Sequence, residues 1–272
     1  MSNTWLYIKS GKQDAFFNMA LDELLMNKVR RGEIPPVIRL YEWKTPTLSI
    51  GYFQKMEKEI DIHKVEEYGY QLVRRKTGGR GVLHDKELTY SLVLPEDYEG
   101  IPKSVTESYR ILSEGIKEGF KNLGLDAYFS IPDKKERREE RSSVCFDTPS
   151  WYELVVEGRK IAGSAQTRSE GVIMQHGSIL LDVDIDHLFD MFKFTNERFK
   201  EKMKSTFLEK AVAINDISDK KITIDDMYNA FKKGFEDGLN VTTNEYELTE
   251  DDHRELESLI EKYASREWNY RR

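Results

Sequence analysis

The stretch from Val73 to Leu94, V-R-R-K-T-G-G-R-G-V-L-H-D-K-E-L-T-Y-S-L-V-L, limits what this chain can fold into more than any other. An apolar segment, Tyr70 to Val73, leads into it, and an alternating segment leads out. Leu88, Tyr90, Leu92 and Leu94 fall on one face, with Thr89, Ser91 and Val93 on the other. That period of two is the pattern of a strand. Between the segments, Gly78, Gly79 and Gly81 crowd a four-residue window. Glycine is used where the backbone takes a positive φ or must come close to another group. The expectation is strand, tight glycine loop, strand, with Arg74, Arg75, Arg80, His84 and Asp85 around the loop. A hairpin with a generous turn satisfies the same residues. The string is neither G-x-x-x-x-G-K-[ST] nor G-x-G-x-x-G ahead of a helix, so neither common nucleotide loop is indicated.

Around this stretch the chain alternates between helical and strand periods. Phe16 to Arg31 reads as a helix capped by Asp14 and ended by Gly32 and Pro35-Pro36. Val37 to Trp43 and Thr47 to Tyr52 read as short strands, and Asp61 to Tyr68 as a short helix capped by Asp61. Ser104 to Leu123 is the clearest helix: Ser104 and Glu107 have the spacing of a capping box, and Gly124 is a stop. Its stripe of Val105, Tyr109, Leu112, Ile116, Phe120 and Leu123 is sufficiently explained as core. From Trp151 the pattern is β again, with turns at Glu157-Gly158 and at Ser169-Glu170-Gly171. Helices follow at Asp186 to Phe192, Thr223 to Leu239 and Thr249 to Tyr263. This order suggests a β-sheet flanked by helices with a helix-rich C-terminal part.

Length and composition exclude several classes. The chain has 272 residues, enough for one large domain or two small ones. Hydrophobic residues make up 39% and charged residues 33%, as in a globular protein with a well-charged surface. No apolar run approaches the ~18 residues of a membrane span, and the N-terminus has no secretory pattern. A net charge of −7 disfavours wholesale nucleic-acid binding. A single cysteine forms no internal disulfide and fits a reducing, cytoplasmic setting. Five scattered histidines without H-E-x-x-H give no metal pattern. No metal or other cofactor is expected.

Two residues stand out chemically. Cys145 follows a charged run, K-K-E-R-R-E-E-R, and precedes Asp147-Thr148-Pro149. A lone cysteine is more often a small buried hydrophobe than a nucleophile. Its reactive form is the thiolate, with a pKa near ~8.5 unless a cation lowers it. Lys160 sits in G-R-K-I-A-G-S-A-Q at a strand edge. It is either a solvent-facing hairpin lysine or an inward ammonium at the closed end of a pocket. Gly163, Ser164 and Ala165 are small enough to leave room for a ligand beside it. A buried cation there would stabilise a thiolate and an oxyanion at an attacked thioester carbonyl.

The string R-R-x-T-G-G-R-G-V-L-H-D resembles the signature of the lipoate ligase, octanoyltransferase and biotin ligase superfamily. The stretch from Cys145 through Q-T-R, followed by Q-H-G-S-I-L-L-D, resembles its Cys-dependent octanoyltransferases. The likeness extends from F-N-M-A-L-D-E to the E-W-N-Y-R-R end. It implies an α+β fold of the biotin/lipoyl protein ligase type, as one catalytic domain over residues 1–272. Its core would run over about 33–248, with helices 16–31 and 249–263 packed on it. In such proteins the glycine loop and the next strand wall an acyl-binding tunnel. The resemblance therefore marks Arg75, Gly78, Gly79, Arg80, Gly81, His84, Gly163, Ser164, Ala165 and His176 as substrate-binding. His84 and His176 are equally well explained as hydrogen-bonded structural histidines.

The activity so implied moves octanoyl from octanoyl-acyl carrier protein to a lysine of the glycine cleavage system H protein, or of another lipoyl domain. Cys145 would carry the acyl thioester and Lys160 would lower its pKa. Nucleic acid and membrane are not among the expected partners. Lys134, Lys135, Arg137, Arg138 and Arg141 are candidates for docking acidic partners, or simply a solvated loop. Three readings compete: an ATP-dependent lipoate–protein ligase, an amidotransferase between lipoyl domains, and a non-catalytic acyl-binding protein. In the ligases a third glycine stands where this chain has Arg80.

Overall fold

The computed structural model describes residues 3–130 and 152–271. The elements follow in chain order as β1 (Thr4–Gln13), α1 (Ala15–Arg30), β2 (Val37–Trp43), β3 (Thr47–Ile50), α2 (Met56–Glu59), α3 (Ile62–Glu67), β4 (Gln71–Arg74), β5 (Val82–His84), β6 (Glu87–Pro95) and α4 (Val105–Asn122). After them come β7 (Tyr128–Ser130), β8 (Glu153–Val156), β9 (Arg159–Lys160), β10 (Ala162–Ser169), β11 (Val172–Leu180), α5 (Ile185–Asp190), α6 (Glu197–Lys210), α7 (Ile214–Ile217), α8 (Ile224–Leu239), β12 (Thr242–Glu245), α9 (Glu250–Ala264) and α10 (Arg266–Asn269). The fold is α+β.

A mixed six-stranded sheet, in the order β10-β11-β6-β2-β1-β12, forms the frame. β1 runs parallel to both β2 and β12, while β2, β6, β11 and β10 are successively antiparallel. β6, in the interior of the sheet and covered on both sides, is buried on both faces despite its alternation. Leu88, Tyr90, Leu92 and Leu94 meet α4 and α8. These two helices touch through glycine. Gly115 and Gly119 of α4 and Gly234 and Gly238 of α8 lie where any Cβ would overlap the facing helix. The opposite face of the sheet is covered by α1, with Val37, Tyr41, Val93 and Met174 beneath it, and by a small sheet in the order β4-β3-β5.

The small sheet corrects the hairpin reading of the glycine loop. β4 and β5 flank the loop but do not pair with each other. β3 lies between them, parallel to β4 and antiparallel to β5. The loop thus spans an intervening strand, and the alternating segment β6 belongs to the other sheet. Local alternation fixes which residues share a face but not which strand supplies the hydrogen bonds. A third sheet, in the order β7-β8-β9, is antiparallel.

Local sequence signals hold at the ends of elements. Asp14, Asp61, Ser104, Thr223 and Thr249 each cap a helix N-terminus with a side-chain oxygen. Glu157-Gly158 and Glu170-Gly171 turn with both residues at positive φ, the conformation a two-residue hairpin needs. The strand β1 and the helix α6 have no counterpart in the sequence reading. α6 buries only Met203 and Phe207, too few to write a helical stripe. No helix among the described residues is long and apolar enough to cross a membrane.

Candidate active site

A cavity of about 450 Å³, counting its mouth, opens between the large sheet and the small one. Its floor comes from β2, β6, β10 and β11: Tyr41, Trp43, Thr89, Gly163, Ala165, His176 and Ser178. Gly163 pairs with Ser178, and Ala165 with His176. Small residues on the outer strand thus leave the space that larger ones would fill. Gly177 is required on structural grounds, since a Cβ there would come within 2.7 Å of Gly163 O, Ser164 Oγ and Tyr90. The roof is Ser49, Arg75, Gly79, Val82 and His84 from the small sheet and its loop.

Roof and floor are tied by one buried hydrogen-bond network. Arg75 holds the glycine loop. Its Nη2 donates to Gly78 O and Arg80 O, both at 2.8 Å, while Nη1 donates to Ser49 O at 3.1 Å and Nε to Thr77 Oγ1 at 3.1 Å. Thr77 Oγ1 lies 2.6 Å from His176 Nε2. His176 Nδ1 is 3.7 Å from Asp22 Oδ2, and Asp22 accepts from Arg39 Nη1 at 2.7 Å. On the other side, Ser49 Oγ is 2.8 Å from His84 Nε2, and His84 Nδ1 is 2.7 Å from Glu87 Oε1. Glu87 also accepts from the Thr89 and Ser178 hydroxyls. Trp43 stacks on the His84 ring at 4.2 Å and donates to Thr89 Oγ1 at 2.8 Å.

These partners decide the charges. Desolvation pushes the Asp22 pKa up, but the Arg39 guanidinium and the nearby His176 imidazole outweigh it and hold Asp22 below the usual carboxylate range. Desolvation dominates at His176 and lowers its pKa against the pull of Asp22. At neutral pH the cavity wall therefore carries a neutral His176 imidazole, and its buried polar groups are satisfied by the protein itself. The resulting cavity surface is mostly apolar, with its polar atoms turned into the network behind it.

Seven of the ten substrate residues marked by the sequence line this cavity: Arg75, Gly79, His84, Gly163, Ser164, Ala165 and His176. Gly78 and Arg80 flank it through their carbonyls on Arg75. Gly81 instead packs against Phe192, where an added Cβ would meet Cζ at 2.6 Å. Lys160 is turned inward, at 8% exposure, with Nζ 2.7 Å from Glu153 Oε1. It is not among the residues lining the cavity. Cys145 and the basic residues Lys134, Lys135, Arg137, Arg138 and Arg141 lie outside the described residues. Met19, Tyr41, Trp43, Ser49, Val82, Thr89 and Ser178 are lining residues the sequence reading did not single out. The signal for Thr89 was present: in β6 Glu87, Thr89 and Ser91 alternate with a face that is wholly apolar. Among the described residues no cluster of three or more His, Cys, Asp or Glu is arranged to hold a metal.

Residues 14–236 match the family model of the lipoyl protein ligase A/B catalytic domain. The chain is 63% identical, over the full length of both, to octanoyltransferase LipM of Staphylococcus aureus, and 56% identical, over 99% of both, to octanoyltransferase LipM of Bacillus subtilis. The chain belongs to the LipM octanoyltransferase family. Among solved structures, the bipartite lipoate protein ligase of Thermoplasma acidophilum superposes with a TM-score of 0.81 at 26% identity, over 98% of this chain and 96% of that one. A lipoate-protein ligase A bound with ATP gives 0.77 at 25%, over 99% of both chains. This chain and these two lipoate protein ligases thus share one frame, so the frame alone does not decide the chemistry.

Proposed function

We propose that this protein transfers an octanoyl group from octanoyl-acyl carrier protein to a lysine of a lipoyl-type acceptor, such as the glycine cleavage system H protein, in lipoate biosynthesis. The observation that carries the reading is the cavity between the two sheets, in a chain 56–63% identical along its length to LipM octanoyltransferases. A saturated eight-carbon chain needs a slot without unsatisfied polar groups. Burying it contributes about 0.8 kcal/mol per CH₂. The space beside Gly163, Ala165 and Val82 suits such a chain.

The reaction proceeds in two half-reactions. The Cys145 thiolate attacks the thioester carbonyl; a carbon–sulfur bond to the enzyme forms, the bond to the carrier breaks, and the carrier leaves as its thiol. The acceptor amine then attacks the enzyme thioester and loses a proton, giving an amide, and Cys145 leaves as thiolate. Thioester-to-thioester exchange is nearly neutral and thioester-to-amide transfer is downhill, so no ATP is required. Covalent division of the transfer implies ping-pong kinetics. Lys160 lowers the thiol pKa and, with the Gly78 and Gly79 N–H groups, supports the oxyanion. The contact with Glu153 Oε1 at 2.7 Å holds the Lys160 side chain in place.

The test is intact-protein mass spectrometry after mixing with octanoyl-acyl carrier protein and no ATP. A hydroxylamine-sensitive octanoyl adduct on the parent protein, absent from Cys145→Ala, is expected. Lys160→Ala should slow its formation about 10²- to 10³-fold. The second reading, an ATP-dependent ligase, is favoured by the ligase superpositions. It replaces the first if no adduct forms and transfer appears only with ATP and free octanoic acid.

A further inference from the structure

The helix α10 is tied by side-chain hydrogen bonds to β4, which leads into the glycine loop over the cavity. β4 is an edge strand of the small sheet, so its outer backbone groups find no partner within that sheet. At Arg74 the helix α10 supplies them from side chains. Asn269 Oδ1 accepts from the Arg74 backbone N–H at 2.7 Å, and Trp268 Nε1 donates to the Arg74 carbonyl at 2.8 Å. Asn269 is itself fixed, because its Nδ2 donates to Tyr263 O at 2.7 Å and to Ser265 O at 3.0 Å.

The clamp continues through the fully buried Arg74 side chain. Nη2 donates to the Asn269 carbonyl at 2.8 Å. Nη1 donates to Gly51 O at 2.9 Å, Tyr52 O at 3.0 Å and Gln54 O at 2.8 Å. Gly51 in turn lies directly against Gly79; any Cβ at Gly51 would overlap the Gly79 carbonyl. The chain of contact therefore runs from Asn269 to Arg74, to the 51–54 turn, to the glycine loop that roofs the cavity. A second tie runs in parallel. Glu23 accepts from Lys262 of α9 at 2.6 Å and from Lys76, beside the loop, at 2.9 Å. Burial raises the Glu23 pKa, but the hydrogen bond from Lys262 and the charge of Lys76 outweigh it, so the carboxylate stays ionised.

We propose that Asn269, with Trp268, is a positioning residue for acyl-chain recognition: it sets the height of the glycine loop over the cavity through Arg74. A loop released from this clamp leaves the slot wider at Gly79 and Val82, so discrimination between acyl lengths is lost before transfer itself. This inference rests on the octanoyltransferase reading for its substrate but not for its mechanical part.

Two measurements on Asn269→Ala test it. Amide hydrogen exchange should speed up over residues 75–81 while α4 and α8 stay as protected as in the parent. The ratio of kcat/KM for octanoyl- against decanoyl-acyl carrier protein should fall about tenfold or more, as expected when binding geometry loosens by a fraction of an ångström. A purely structural role would lower the Tm and leave both the loop exchange and the ratio at parent values; that result overturns the proposal. If Asn269→Ala does not fold, Trp268→Phe keeps an aromatic ring at the site but removes the indole donor along with part of the ring area, and the same two readouts decide. A parent protein that transfers no octanoyl would overturn the function, while the exchange measurement would still judge the clamp.

Discussion

The two faces of the six-stranded sheet solve opposite problems with the same strands. On the face under α4 and α8, Leu88, Tyr90, Leu92 and Leu94 pack solidly, and glycines let the two helices close on each other. On the other face the next residues along β6 are Glu87, Thr89 and Ser91, and burial there surrounds an empty slot. The first face gains its stability from apolar area and close packing. The second places charges and hydroxyls where they desolvate; Glu87 and Thr89 are held there by partners, while the buried Ser91 hydroxyl has none. A cavity for an apolar chain can remain open between strands only if its walls are rigid. The hydrogen-bonded network around Arg75, His84 and Glu87 provides that rigidity without filling the space.

The largest expected effect follows from breaking the network at its deepest point. Arg39 is fully buried against Asp22 and Asn18. Arg39→Ala should destabilise the protein by about 3–5 kcal/mol, because it strands the Asp22 carboxylate; denaturant unfolding measures it. Leu112→Ala on the solid face should cost about 2–5 kcal/mol in stability, yet leave the octanoyl-to-decanoyl preference intact. A shifted preference in that variant would break the separation of the two faces. Gly234→Ala drives a methyl into the Gly119 backbone. It should cost about 1–3 kcal/mol, visible as a lowered denaturation midpoint, again without a change in chain-length preference. The smallest effect is one of pH. The folded His176 pKa lies below its ordinary value near ~6.5. Below that value the unfolded chain takes up a proton that the folded one refuses. Stability is therefore full above pH ~6.5 and falls as the pH drops toward the folded pKa. His176→Gln should flatten this limb of a stability–pH curve, and an unchanged slope would remove His176 as its source.

Periodicity alone located most regular elements, and the capping residues placed helix starts to within a residue. The site was partly legible. Long strings around the glycine loop and Gly163 marked seven lining residues, because a close backbone approach and a small outer strand need particular residue types. Trp43, Tyr41 and Ser49 were not legible, since a buried aromatic or hydroxyl beside a cavity is written no differently from one in a filled core. The paired glycines of α4 and α8 were visible as G-x-x-x-G in each helix, but only packing shows that they face each other.

By itself the sequence determined what is local: which residues alternate, where turns take a positive φ, and where helices start. It also carried the family, because the strings that wall the cavity are long and specific. Tertiary structure decided what depends on distant partners. It inserted β3 between the strands that flank the glycine loop, joined His84 to Ser49 and His176 to Thr77, and brought Asn269 to Arg74, 195 positions away. The reason is physical. Backbone geometry is set by neighbours within a few residues. A buried polar atom accepts whichever partner the fold delivers within hydrogen-bonding reach, and sequence spacing does not encode that distance.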